Sequence, residues 1–295
     1  MSTSTRALLA IIIAGILGGM APIYMKVALK EFTPFQIAFT RFFFAFLVLL
    51  PVAFFKKQLR FHKKDFFLLL FSSLFFAGNI ILFVIGLPHT SSIASQLFYL
   101  LTPTFVIILS FFLLRHKIEM KHILSIITGF IGGLILVIRG GNVAVLTASL
   151  GTTQGNILIL SAVMCWSIHV VFSKKLSEKY TPLNLLVISS IVTSLISGIF
   201  LLTGKTNLIY LYTHASWPSV ASLILLITLN SIVFFFLYQW AIKLVKPFSV
   251  SLSSYLSLLA TAVIAITLFG EKITVQLIVS VLLIGVSSYL TFKKK

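Results

Sequence analysis

Apolar runs of about twenty residues recur along this 295-residue chain from one end to the other. A helix of about that length rises through the roughly 30 Å hydrocarbon core of a bilayer. Inside lipid every backbone N–H and C=O must find its partner within the segment or in a closed ladder, which leaves only helices and barrels. Stretches such as LLAIIIAGIL (8–17) do not alternate polar and apolar residues, so they do not read as barrel strands. Composition agrees: 59% of residues are hydrophobic and 9% charged, against about 25% charged in a typical soluble protein. The reading is an all-α integral membrane protein with ten transmembrane helices. The spans fall at 7–29, 34–55, 66–87, 91–114, 121–139, 156–173, 182–203, 219–242, 247–269 and 273–292.

The net charge of +18 would suggest nucleic acid in a soluble chain. Here Lys and Arg sit in short connections between apolar runs, where they set orientation. With a cytoplasmic N-terminus, seventeen basic residues fall on inside loops and ends and four (Lys30, Arg139, Lys205, Lys272) on outside loops. Both termini are therefore expected in the cytoplasm, and no soluble basic domain remains to hold nucleic acid. Cys165 is the single cysteine and lies within an apolar run, so it packs as a small hydrophobe. The apolar stretch after Arg6 is longer than a signal-peptide core, and it reads as a retained first helix.

The chain repeats itself weakly. KVALKEFTPFQ (26–36) aligns with KKLSEKYTPLN (174–184), pairing Lys26 with Lys174 and Thr33-Pro34 with Thr181-Pro182. SQLFYL (95–100) aligns with SLSSYL (251–256), and HKIEMKHILS (116–125) with EKITVQLIVS (271–280). The order is preserved, which predicts two halves of five helices: 1–142, an external linker over 143–155, and 156–295. Five is odd, so the second half crosses the membrane in the opposite sense. Secondary transporters are often built from such inverted repeats, with the solute held near the midplane between them.

These residues carry a resemblance. LFGEKITVQLIVSVLLIGV (268–286) resembles the end of the EamA-type repeat of the drug/metabolite transporter superfamily. MCWSIHVVFSKKL (164–176) is similar to the first helix of that repeat. FTPFQIAFTRFFFAFLVLL (32–50), with Arg41 inside, is similar to the second. IASQLFYLLTPTFVIILSFFLLRHKI (93–118), with Pro103 in its middle, is similar to the fourth. Departures occur: Arg115-His116 stand where the first repeat would have Gly-Glu, and Leu258-Leu259 stand where the second would have Pro103. The resemblance implies a central cavity lined by spans one, three, four, six, eight and nine. It also implies that the last helix pair packs or makes a dimer contact, so a homodimer is one expected assembly.

Polar side chains deep in a span are costly and face the interior. Two readings stand for each. His169, three residues after Trp166 and on the same helical face, reads as a solute contact or proton carrier, or as a histidine bonded between helices. Trp166, Tyr99, Tyr238 and Tyr255 read as cavity lining or as packing and interface anchors. The amides of Asn79, Gln96, Asn230 and Gln239 read a polar solute or glue helices together. Arg41 binds a carboxylate, or it snorkels or pairs with helix-end carbonyls. The candidate solute-binding set is Trp166, His169, Tyr99, Asn79, Gln96, Tyr238, Tyr255 and Arg41, with no metal site.

All five acidic residues, Glu31, Asp65, Glu119, Glu178 and Glu271, fall at span ends or in loops. A carboxylate proton relay is thus not expected. Glu271, between the last two spans, reads as a turn residue favoured beside a helix N-terminus. His62, His116 and His122 are assigned to basic cytoplasmic loops. No HExxH, GxSxG or phosphate loop occurs, so no enzyme and no cofactor are expected. The expected function is secondary transport of small metabolites across a bacterial-type inner membrane by alternating access. Efflux of amino acids or related solutes is the first reading, and import of a nucleoside-type nutrient is the alternative.

Overall fold

The computed structural model describes residues 3–137, 151–202, 214–269 and 275–292. All regular structure in them is helical: α1 (Thr3–Ala28), α2 (Pro34–Phe55), α3 (Phe66–Gly86), α4 (Ser92–Tyr99), α5 (Thr102–Leu114), α6 (Met120–Val137), α7 (Thr153–Leu176), α8 (Pro182–Leu202), α9 (Trp217–Leu225), a π-helical segment (Leu226–Phe234), α10 (Phe235–Leu244), α11 (Pro247–Ser251), α12 (Ser253–Phe269) and α13 (Val275–Phe292). Among the described residues, seven helical stretches are long and apolar enough to cross a membrane: Thr3–Ala28, Pro34–Phe55, Lys63–His89, Ala94–Leu114, Thr153–Leu176, Pro182–Leu202 and Trp217–Leu244. Shorter apolar helices run over Met120–Ile135 and Ile278–Thr291.

The Thr-Pro pairs aligned in the sequence start helices locally. Thr33 caps α2 in a reciprocal box: its hydroxyl accepts from the Gln36 amide N–H at 3.4 Å, and its own N–H donates to Gln36 Oε1 at 2.7 Å. Pro34 at the first helical position has no N–H to leave unsatisfied. The aligned Thr181 accepts from Asn184 N at 3.2 Å, and Pro182 opens α8. The aligned lysines also behave alike. Lys26 Nζ donates to the Thr90 carbonyl at 2.9 Å. Lys174 Nζ donates to the carbonyls of Ile242 and Val245 at 2.9 and 3.0 Å.

The helices pack as long pairs: α1 along α12, α2 along α8, α3 along α7 and α6 along α13. Small residues allow the close approach, as in lipid-embedded bundles. A Cβ on Gly19 would lie 2.3 Å from the Ser257 carbonyl oxygen, so only glycine lets α1 meet α12 there. Ser257 and Thr261 then donate their hydroxyls to the Gly15 and Gly19 carbonyls at 2.9 and 2.8 Å. Buried polar residues share the interior with a core of aromatic and aliphatic side chains, while many other large apolar side chains face outward. Phe55, Phe67 and Leu202 are 82%, 80% and 88% exposed, a surface stable only against lipid.

The structure corrects one sequence expectation, the loop placement of His122, and adds a local break within two of the spans. The 91–114 span is interrupted at Leu100-Leu101, before Pro103, which cannot donate to the preceding turn. The 247–269 span breaks at Leu252 although no proline lies there. His122 is not in a loop: it sits in the first turn of α6, 7% exposed, where its Nδ1 accepts from the Glu119 amide N–H at 3.2 Å. The Glu271 turn lies outside the described residues.

Candidate functional site

Helices from both halves of the chain enclose a central cavity. Counting the space at its mouth, it holds about 690 Å³. Its wall comes from α1, α2, α3, α4, α7, the π-helical segment, α10 and α12. Six of the eight candidate residues meet there: Arg41, Asn79, Gln96, Tyr99, Trp166 and Tyr238.

Trp166 is the aromatic centre. It is 4% exposed, and its ring lies 4.8 Å from Tyr238 and 5.8 Å from Phe235. Across from α7, Asn79 is held by two donations from its Nδ2, to the Ala162 carbonyl at 2.9 Å and to the Tyr99 hydroxyl. Its amide therefore does both jobs read in the sequence, bridging helices while standing on the cavity wall. Arg41 is 2% exposed and does not snorkel. Its Nε donates to Ser231 Oγ at 3.1 Å, and the guanidinium carbon lies 5.4 Å from the Phe42 ring centre.

Ser231 belongs to the π-helical segment. The wider turn of a π helix shifts which residues share a face, and such segments recur at functional sites. Here it brings Asn230 and Phe234 to the cavity while Ser231 holds Arg41. Asn230 donates Nδ2 to the Leu17 carbonyl at 2.7 Å, and its Oδ1 is buried with no protein partner.

Two candidates lie off the cavity wall. His169 stands behind Trp166, ring centroids 5.5 Å apart and nearly parallel. Its Nε2 lies 2.9 Å from Gln239 Nε2, and its Nδ1 2.9 Å from the Ser72 carbonyl. Nδ1 also lies 3.0 Å from Ser72 Oγ, and Nε2 3.2 Å from Ser173 Oγ, so the imidazole is held on both sides. Tyr255 points away. Its ring fills the space that a side chain on Gly129 would take, and its hydroxyl donates to the Ile126 carbonyl at 3.4 Å. The sequence pairing of Tyr99 with Tyr255 thus does not carry into equivalent surroundings. Tyr99 ends a helix against the cavity, whereas Tyr255 sits inside the first turn of α12 and faces α6.

Sequence reasoning passed over Ser253, Ser254 and Ser257 of the wall. Their signal was present, as three serines within one turn of an apolar run. It passed over Phe83, Phe234 and Met25 because an apolar residue in an apolar span carries no positional signal. Among the described residues no group of three or more metal-ligating side chains converges.

A lipid-facing apolar exterior around a cavity lined by amides, aromatics and one buried cation defines a multi-pass membrane transporter. The profile of the EamA-like transporter family matches residues 5–138 and again residues 153–293. The chain belongs to that family, within the drug/metabolite transporter superfamily, and is a multi-pass protein of the plasma membrane. It is similar to an uncharacterized transporter of Archaeoglobus fulgidus, 24% identical over 92% of this chain and 91% of that one. The uncharacterized transporter YyaM of Bacillus subtilis is 29% identical over 54% of this chain, and the match spans about half of YyaM, 52%. The S-adenosylmethionine uptake transporter of Rickettsia prowazekii is 27% identical over 80% of this chain and 75% of its own length. A solved crystal structure aligns at a TM-score of 0.77 over 97% of this chain and 96% of that one, at 14% identity, which speaks to fold alone.

Proposed function

We propose that this chain moves small metabolites by alternating access, and that the central cavity is where the solute sits. The observation that carries this is the wall itself. Spans distant in sequence converge their polar and aromatic groups on one central cavity. The architecture proposed is ten spans in two inverted halves, 1–142 and 156–295, joined by an external 143–155 linker, with both termini cytoplasmic. The packing map supports it, because exchanging the halves sends the α2–α8 and α6–α13 pairs onto themselves. The matched lysine contacts at Thr90 and at Ile242–Val245 support it as well.

Trp166, Tyr238 and Tyr99 would stack or cradle the solute body. Arg41, Asn79 and Gln96 would read its polar groups. His169 would hold Trp166 in place, and Tyr255 would pack α12 on α6. Efflux of amino acids or related solutes is the first assignment, since a carboxylate fits the guanidinium and an apolar side chain fits the aromatic wall. Uptake of a nucleoside-type metabolite is the second reading, favoured by the relative named as an S-adenosylmethionine uptake transporter.

Counterflow in proteoliposomes tests both. Exchange of labelled amino acids, abolished in Trp166→Ala, supports the first assignment. Exchange of S-adenosylmethionine but of no amino acid replaces it with the second. Single-cysteine labelling at Lys64 from one side of oriented vesicles tests the orientation, and access from the outside would reject it.

A further inference from the structure

The cavity wall carries one residue charged at neutral pH and no carboxylate among the described residues. That residue, Arg41, is 2% exposed. Its Nε is occupied by Ser231, while its two terminal nitrogens make no hydrogen bond to the described protein. The guanidinium stands at the cavity wall without a counter-ion among the described residues, and a cation so largely removed from water is ordinarily paired. Of the four described acids, Glu178 is exposed beyond the end of α7 and the other three are engaged elsewhere. Asp65 binds Lys179 at 2.8 Å, Glu119 binds Lys121 at 3.2 Å, and Glu31 accepts from Ser216 N at 2.7 Å. The two open nitrogens form a planar fork matched to the two oxygens of a carboxylate. The rest of the wall is aromatic and apolar: Trp166, Phe83, Phe234 and Ile80. The remaining polar wall groups are neutral, and they offer no counter-charge to an ammonium.

Resting on the reading of this cavity as the solute site, we propose that it selects small organic anions. The solute's carboxylate closes onto the free fork of Arg41, and its apolar or aromatic body lies against Trp166 and Phe234. Ser231 fixes the guanidinium from behind, so the fork is oriented before the solute arrives. The carboxylate, and not the amine of an amino acid, is then the feature read most strongly. A positively charged solute of the same size is rejected by the same residue.

The test compares two probes that differ only in the head group, 3-phenylpropionate and its uncharged amide. Each is titrated calorimetrically into the full-length purified protein in lipid nanodiscs. The carboxylate is expected to bind at least about tenfold more tightly than the amide. That preference should vanish in Arg41→Gln and persist in part in Arg41→Lys, which keeps the charge but loses the fork. Should both variants fail to fold, the wild-type comparison decides alone. Equal affinity for the two probes overturns the anion proposal and leaves the cavity standing as a solute site. A preference that survives in folded Arg41→Gln overturns the assignment to Arg41. Binding of neither probe overturns the proposal and the cavity reading together.

Discussion

The indole of Trp166 lies against the imidazole of His169, with ring centroids 5.5 Å apart and planes 29° from parallel. Trp166 meets the cavity, and His169 meets Ser72, Ser173 and Gln239 behind it. The histidine is thus a positioning residue: it joins α7 to α3 and α10 and supplies the flat surface on which the tryptophan rests. Trp166→Ala is expected to abolish solute exchange at normal protein level. His169→Ala should lower the maximal rate and loosen solute affinity together, because it frees the indole and strands the Gln239 amide, a loss of about 1–3 kcal/mol in the fold. Initial rates across solute concentrations, with abundance by size-exclusion chromatography, check this. Wild-type kinetics in both variants would remove the pair from the site.

Gly19 and Gly285 make a matched contrast. A Cβ at Gly19 meets the Ser257 carbonyl at 2.3 Å, while a Cβ at Gly285 meets nothing within 4 Å. Gly19→Val should push α1 off α12 and lower stability by about 1–3 kcal/mol, the usual cost of overpacking. Gly285→Ala should be neutral or slightly stabilising, since alanine favours helix by up to about 1 kcal/mol. Thermal melts in detergent decide, and equal melting temperatures for the two variants would refute the close α1–α12 approach.

Glu31 links the connection after α1 to the start of α9 through the Ser216 N–H and hydroxyl. These hydrogen bonds hold its carboxyl below the usual carboxylate range. A depressed folded value means its stabilising contribution is present above the unfolded value and is lost as pH falls through the folded one. Wild type should therefore lose part of its thermal stability on acidification in a way Glu31→Gln does not. Parallel melting curves against pH for both proteins would rule out this linkage.

Lys174 gathers carbonyls of Ile242, Lys243 and Val245, where the helix end leaves acceptors without donors. Lys174→Met keeps the stem and removes the donors. It is expected to destabilise the protein by about 1.5–3 kcal/mol, the range for hydrogen bonds to a charged group. Lys26→Met, with its single bond to Thr90, should cost less. A reversed order in melting experiments would contradict the contacts at the two connections.

Much of the scaffold was legible in the chain because its causes are local. Thr33-Pro34 and Thr181-Pro182 start helices through bonds made within four residues. Burial of His122 was not legible, since its surroundings, Phe248 among them, come from the far half of the sequence. The same reason explains Tyr255. An aromatic in an apolar span can face either way, and only the absence of a side chain on Gly129 shows which.

The sequence by itself determined the solvent this protein lives in, the helical class and the family. Hydropathy, charge placement and cap residues act over a few turns and need no partner. The tertiary structure alone decided which side chains line the cavity. The Arg41–Ser231 bond spans 190 residues, and Ser231 reaches Arg41 from a π-helical turn that no local pattern announces. Which polar group becomes a wall, and which becomes a strut behind it, depends on what the opposing helix brings into contact.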